Sequence, residues 1–142
     1  MKLTINFDKN REEEIIIYAH EKNKLIFEIE KFIYADEKIN GYKEKEIVPF
    51  SVSETEFFYS DENKVYAVTA DDEVLVKYRL YELEQILPDN FIKINKSCIA
   101  NLNSILCFDT SISGTLKVKF KCGKIDYVSR RNLKNIKERL GV

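Results

Sequence analysis

The chain has 142 residues, of which 44% are hydrophobic and 33% charged, a composition typical of one soluble globular domain with or without a terminal elaboration. No apolar run approaches the roughly 20 residues of a membrane helix, and the first residues do not form a secretory signal, which predicts a cytoplasmic protein with no direct membrane insertion. The net charge of −1 hides an asymmetry, because residues 1–90 hold 12 Lys or Arg and 21 Asp or Glu, whereas residues 91–142 hold 11 and 3.

The first 46 residues predict a small β-β-α unit. Apolar side chains alternate at residues 3–7, and a β-branched run follows at residues 15–18, so both segments are expected to be strands. Between residues 23 and 39, apolar residues recur at three- and four-residue intervals, which predicts a helix with one buried stripe that ends at Gly41. The charged residues 41–46 are the best linker candidate. This predicts two regions, residues 1–46 and residues 47–142.

The next elements are a hairpin and a short helix. Two apolar runs at residues 55–59 and 64–69 predict a hairpin whose polar loop has four residues, 60–63. A brief strand is expected at residues 74–76. Apolar residues between 80 and 87 then place a stripe on a helix that must stop before Pro88.

A strand at residues 91–95 runs into a polar corner. Ile92 and Ile94 alternate with polar neighbours, and the pattern breaks at Lys96 and Ser97. Asn95, Lys96 and Ser97 are hydrogen-bond donors suited to phosphate oxygens and base edges. A rigid strand end presents such side chains well.

The segment after this corner is basic. The strand at residues 116–120 places apolar side chains on one face and Lys117 and Lys119, followed by Lys121, on the other. A hairpin turn at residues 122–123 is expected to set Ile125 opposite Phe120 and Tyr127 opposite Val118. Such a basic region favours a polyanion partner. The alternative is that acidic and basic faces neutralise each other within the molecule or across a dimer.

The last helix is predicted to begin after Ser129, a good N-cap, with Val128 and Leu133 as its hydrophobic staple. Its first two residues are Arg130 and Arg131, although the helix dipole favours acids there by about 0.3–1 kcal/mol. Arginines beside open backbone amides can bind an anion, and arginine can also read guanine with two hydrogen bonds. The alternative is that both arginines pair with the acidic half of the chain.

Candidate catalytic and metal-binding residues are scarce. The three cysteines have no CxxC spacing and there is one histidine, so reduced thiols are expected, with redox sensing as the alternative. The acids at residues 71–73 lack EF-hand spacing. No phosphate-binding glycine-rich loop or nucleophile elbow occurs. We therefore predict no enzymatic activity, no metal and no cofactor.

The residues of the polar corner also carry a family resemblance. Ile-Asn-Lys-Ser-Cys-Ile-Ala-Asn-Leu at residues 94–102, with Gly-Thr-Leu-Lys-Val at 114–118 and Tyr-Val-Ser-Arg-Arg at 127–131, resembles the LytTR DNA-binding domain of bacterial transcription regulators. The resemblance covers residues 47–142. It implies a mostly β fold whose loops enter successive major grooves of direct repeats. By position, the implied contacts are Asn63 and Lys64, Asn95 and Lys96, and Arg130 and Arg131.

The expected fold is therefore α+β and mostly β, with layered antiparallel sheets, a short helix and a C-terminal helix after the β-β-α unit. The expected function is sequence-specific binding of double-stranded DNA by a transcriptional regulator. The alternative is a protein-interaction or regulatory module whose basic face is incidental, and RNA binding ranks third because no stacking motif supports it. The first 46 residues leave no room for a phospho-receiver domain, so they are expected to serve a homodimer or a regulatory protein partner.

Overall fold

A computed structural model describes residues 2–33, 37–110 and 115–141 of the chain. Three helices lie in these ranges, α1 (Lys24–Ile33), α2 (Leu80–Ile86) and α3 (Arg130–Leu140). The strands are β1 (Lys38–Lys43), β2 (Glu46–Ser51), β3 (Thr55–Asp61), β4 (Lys64–Thr69), β5 (Glu73–Val76), β6 (Phe91–Asn95), β7 (Cys98–Asn101), β8 (Ile105–Asp109), β9 (Leu116–Phe120) and β10 (Ile125–Val128). The sequence also predicts a polar loop at residues 109–114, of which residues 111–114 lie outside the described ranges.

The strands form two antiparallel sheets. The larger sheet has the order β2-β1-β5-β4-β3-β7-β6, and the smaller one has the order β10-β9-β8. Every described strand pairing is antiparallel. The predicted fold class, α+β and mostly β with layered antiparallel sheets, is confirmed.

The larger sheet is buried on both faces, so the molecule has three layers. Adjacent residues of one strand point to opposite faces, and Phe58 accordingly packs with α2 on one side while Phe57 packs with the smaller sheet and α3 on the other. The helix α2 contributes the buried Leu80 and Leu83 to the first core, and α3 contributes the fully buried Ile136 to the second. The short helix before Pro88 and the C-terminal helix are both confirmed.

The predicted β-β-α unit is wrong in its strands and in the extent of its helix. Residues 2–23 contain a turn at residues 8–11 but no strand or helix. Alternation of side chains does not make a strand unless its backbone pairs with a neighbour, and residues 2–19 have none among the described strand pairings. The helix α1 is shorter than predicted, ends at Ile33, and buries none of its residues.

The predicted linker at residues 41–46 is also wrong, because this stretch forms the end of β1, the turn after it and the start of β2. The two strands pair from Lys38 with Ser51 to Lys43 with Glu46. Gly41 does not end a helix. It lies within β1, where a Cβ atom would stand 2.4 Å from Cγ2 of Val74, so the close approach of β1 to β5 requires glycine.

Two hairpins differ in detail from the prediction. The loop between β3 and β4 has two residues instead of four, since Asp61 still pairs with Lys64. Its residues Glu62 and Asn63 have φ angles of 49° and 64°, as a type I′ turn requires. The pairing of β9 with β10 differs from the predicted register by one residue, because Ile125 lies opposite Lys119 and not Phe120. This shift places every side chain of β10 on the face opposite to the predicted one.

None of the helices in the described ranges combines the length and the apolar character needed to cross a bilayer.

Candidate nucleic-acid interface

Three segments predicted to bind DNA meet at one end of the larger sheet. The turn between β6 and β7 lies beside β3, because the backbone N–H of Ser60 donates to the carbonyl of Ser97 at 2.9 Å. The start of α3 lies on the other side of this turn, because the N–H of Ser129 donates to the carbonyl of Ile94 at 2.8 Å. We call this end the reading edge and define it by Asn63, Lys64, Lys96, Ser97, Arg130 and Arg131.

Asn95 holds the reading edge together from the inside. Its side-chain amide donates to Oδ1 of Asp126 at 3.0 Å and to the carbonyl of Tyr127 at 2.9 Å, and its Oδ1 accepts from the N–H of Ser97 at 2.9 Å. Only 3% of Asn95 is exposed. The expectation that Asn95 itself contacts DNA does not fit this position, because its amide is already bonded and faces the protein interior. Asn95 links β6, β10 and the corner that follows it.

The corner itself presents two polar side chains. Lys96 is exposed and Ser97 is half-buried. Both occupy the tight turn between β6 and β7, where the ladder is irregular between Lys93 and Asn95. A short turn fixed by Asn95 holds Lys96 at the surface with little freedom of the backbone.

The first turn of α3 is built without acids. Ser129 takes the N-cap position with extended backbone, as predicted, but its hydroxyl does not cap a backbone amide and instead accepts from the side-chain amide of Asn132 at 2.8 Å. Arg130 and Arg131 are both exposed. The staple is confirmed, since Val128 is buried and Leu133 packs against the same core. Two guanidiniums therefore project beside the positive end of the helix dipole.

The turn between β3 and β4 forms the third part of the reading edge. Asn63 and Lys64 are exposed there, and so are the acids Asp61 and Glu62. The turn lies two to three residues beyond the contact of Ser60 with the corner, at about 3.3 Å per residue. This segment mixes both signs of charge, unlike the other two.

Lys117 and Lys119 lie on the outer face of the smaller sheet, outside the residues that define this edge. The buried faces of Leu116, Val118 and Phe120 turn both lysines outward, with Lys117 half-buried and Lys119 exposed. The actual register places Tyr127 opposite Lys117 and Ile125 opposite Lys119.

Tyr127 and Asp126 are the residues that the sequence reasoning missed. Tyr127 is 51% exposed and lies three residues before Arg130, the first residue of α3, while Asp126 turns inward to accept from Asn95. The sequence does contain a signal for the orientation of these two residues, because the predicted staple role of Val128 requires that side chain to point inward. The period of two along a strand then turns Tyr127 outward and Asp126 inward.

The cysteines show no sign of a reactive thiol at this edge. The structure describes all three as free. Burial raises the pKa of the Cys98 thiol well above its ordinary value, and the nearby Asp126 carboxylate raises the pKa further, so Cys98 stays protonated at neutral pH. The candidate acids at residues 71–73 do not form a metal cluster in the described ranges, and Asp72 instead pairs with Lys43 at 2.8 Å.

A network behind the reading edge stiffens the hairpin of β3 and β4. Tyr59 stacks on Tyr66 with ring centroids 5.2 Å apart, and its hydroxyl donates to Glu73. Burial, followed by this hydrogen bond, raises the pKa of Tyr59 above its ordinary value. Lys124 reaches the same carboxylate at 3.7 Å. Lys124 therefore forms an ion pair within the protein.

The geometry defines a β-rich module that presents polar and basic loops at one end, an arrangement that suits a polyanionic partner. A sequence model of the LytTr DNA-binding domain matches residues 45–141. The chain belongs to the LytTR DNA-binding domain family.

Known proteins are similar over the whole chain or over the domain. Two relatives from Staphylococcus aureus strains NCTC 8325 and COL, both named uncharacterized HTH-type transcriptional regulators, are 36% identical over 100% of this chain and 99% of their own length. The LytTr DNA-binding domain of a methyl-accepting/DNA response regulator from Bacillus cereus matches with a TM-score of 0.70 and 24% identity, over 74% of this chain and 97% of that one. This structural similarity shows that the two proteins share a fold.

The name of the two relatives refers to a helix-turn-helix motif, but the described helices of this chain do not form one. In the described part of this chain, strands separate α1 from α2 and α2 from α3. A helix-turn-helix motif needs two helices joined by a turn of three or four residues.

Proposed function

We propose that this chain is a transcriptional regulator that binds double-stranded DNA in a sequence-specific manner and places the loops of its reading edge in successive major grooves of direct repeats. The observation that carries the proposal is the pair of backbone hydrogen bonds from Ser60 to Ser97 and from Ser129 to Ile94. They bring three segments that are far apart in sequence to one end of the fold. Family membership supports the DNA partner.

The chemistry of the side chains suggests which residues contact bases, which contact phosphates and which position the others. Arg131 and Arg130 can donate two parallel hydrogen bonds to guanine O6 and N7, and Lys96 and Ser97 can donate to base edges or phosphates. Asn63 is suited to a base or phosphate contact, and Lys64 to phosphate. Asn95 serves as a positioning residue, because its three hydrogen bonds fix the corner relative to α3.

The proposal assigns DNA binding to residues 38–141 and gives them no catalytic role. The first strand of the larger sheet, β1, begins at Lys38. We therefore propose that the DNA-binding region begins at this strand and not at residue 47. We place the protein in the cytoplasm, where bacterial chromosomal DNA is accessible.

Selection of genomic fragments by the purified protein tests the function. We expect recovered fragments to share a repeated motif, and the affinity for that motif to fall steeply as salt rises, because bound phosphates release counterions. Fragments without a common motif would contradict sequence-specific binding. A shallow dependence on salt would favour the protein-interaction alternative.

Lys119 tests whether the outer face of the smaller sheet contacts phosphate. Lys119→Ala is expected to weaken specific and non-specific binding equally and to lower the slope of log K against log salt by about one, since a phosphate contact carries no sequence information. Band-shift titrations at several salt concentrations measure both. Lys45→Ala, in the turn between β1 and β2, removes the same charge far from the reading edge and should change neither. Loss of specific binding alone would contradict a phosphate role.

A further inference from the structure

Residues 2–33 expose an unusual amount of apolar side chain. Phe7 is 95% exposed and Ile5 64%, whereas Ile26, Phe27 and Ile29 of α1 are half-buried. Large apolar side chains in the segment that are exposed are Leu3, Ile5, Phe7, Ile15, Ile16, Ile17, Tyr18, Leu25, Phe32 and Ile33. A contiguous set of this size marks an interaction surface, because scattered single exposures are normal but clusters are not.

The accessible surface area of the whole chain is also larger than that of a compact protein of its mass. Its accessible area is 10968 Å², whereas a compact monomer of its mass, 16.7 kDa, exposes about 7,600 Å². The excess is therefore about 3,300 Å². An obligate dimer buries about 1,000–2,500 Å² on each partner. The excess is large enough to form such an interface.

The form of the segment suggests strand pairing. The turn at residues 8–11 is closed by the N–H of Asn10 donating to Oδ1 of Asp8 at 2.9 Å. On either side of it, residues 2–7 and 12–19 lack helix and strand and carry apolar side chains in strand-like patterns. Their backbone N–H and C=O groups can pair with another extended segment, and the apolar face of α1 can cover the sheet so formed.

The helix α1 lies away from the reading edge. Phe27, Lys24 and Lys31 of α1 line a cavity of about 320 Å³ whose other wall includes Pro88 and Asn101. Asn101 ends β7, and the corner at Lys96 precedes the start of that strand. A partner bound to α1 therefore leaves the reading edge open.

We propose that residues 2–33 form an interface with a second copy of this chain, in which the two extended arms pair between copies and α1 packs over them. A second copy fits the charges of the segment, because its six Lys or Arg and seven Asp or Glu nearly cancel and two identical segments do not repel each other. An isologous pairing also gives each exposed arm an identical partner of matching length.

Sedimentation of the full chain without DNA tests the proposal independently of its DNA-binding function. Over a range of about 1–100 µM, we expect the wild-type chain to reach the mass of two chains. Phe7→Glu and Ile5→Glu should weaken the association by at least about 100-fold, because each places a charge at the centre of an apolar interface. Circular dichroism should show the same melting of the domain in every variant, since both positions are exposed.

The matched control is Ile47→Glu. Ile47 is 63% exposed, close to the value for Ile5, but lies on the edge strand β2. Its replacement should change the association less than about twofold. A wild-type chain that stays monomeric, or a dimer that Phe7→Glu leaves intact, would overturn the proposal. Dissociation by Ile47→Glu alone would overturn it too, because the dimer would then form through β2.

Discussion

Replacing Arg131 with alanine is expected to weaken specific DNA binding by about 1–3 kcal/mol while the melting temperature stays nearly unchanged. The range is that of a lost bidentate contact to a base. Arg131 is exposed and sits in a helix turn that holds no acid, so removal of its guanidinium breaks no described ion pair. Titration of the selected DNA site against a scrambled site measures the effect.

Arg139→Ala is the matched control for Arg131→Ala. It removes the same charge from the same helix, but at the far end, where the guanidinium donates to the carbonyl of Asp89. We expect a small loss of stability and nearly unchanged specificity. If Arg131→Ala binds its site like the wild type, Arg131 is a solvated residue and the base-reading role is wrong.

The parts of the fold that the sequence predicted well have strong local signals. The strand at Phe91–Asn95 alternates cleanly, and the helix before Pro88 has both a stripe and a stop. The start of α3 is marked by Ser129 and by the staple of Val128 and Leu133. In each case local chemistry and tertiary burial favour the same structure, so a short window of sequence was sufficient.

The errors arose where pairing decides the structure. Residues 2–19 have the pattern of strands, but a pattern cannot supply a partner backbone. The stretch at residues 41–46 looked like a linker because the turn of the hairpin of β1 and β2 is exposed at residues 43–46, and its charged residues Lys43 and Glu44 reflect that exposure. The meeting of three distant segments at the reading edge depends on hydrogen bonds between backbones, such as Ser60 to Ser97, and no residue pattern encodes these.

The position of β1 also changes how the chain can be divided. A shortened chain that starts at Ile47 would remove β1 from between β2 and β5. The edge strand β2 would then lose its only described partner. Point substitutions in the full chain therefore separate the role of residues 2–33 from that of the sheet more cleanly than deletion at this boundary.

Asn95→Ala is expected to reduce both stability and DNA affinity. It leaves the carbonyl of Tyr127 and the N–H of Ser97 without their partner in a partly buried place, which costs about 2–4 kcal/mol in the free energy of unfolding. DNA affinity should fall even at temperatures where the variant is fully folded, because the corner and the start of α3 are no longer held together. Denaturant unfolding and band-shift titration measure the two effects separately.

The control for this substitution is Asn101→Ala at the other end of the sheet. Asn101 is equally buried, accepts from the side-chain amide of Asn90 at 2.8 Å and donates to the carbonyl of Thr55 at 2.9 Å. Its loss should lower stability by a similar amount. DNA affinity of the folded variant should be unchanged, because Asn101 lies far from the reading edge. Equal loss of affinity in both variants would mean that Asn95 acts only on global stability.

Asn95→Asp separates hydrogen bonding from packing through its dependence on pH. The introduced carboxyl keeps the size of the side chain and can still accept from Ser97, but it lies against the Asp126 carboxylate, which raises its folded-state pKa above the unfolded value of about 3.9. A raised pKa means that the protonated form is favoured by folding. The variant should therefore come closest to the wild type below about pH 4 and lose stability relative to it as pH rises through the raised pKa. Asn95→Ala introduces no titratable group beside Asp126, so its deficit should change much less than that of Asn95→Asp over the same range. An equal dependence on pH in the two variants would show that the contact with Asp126 does not hold the reading edge.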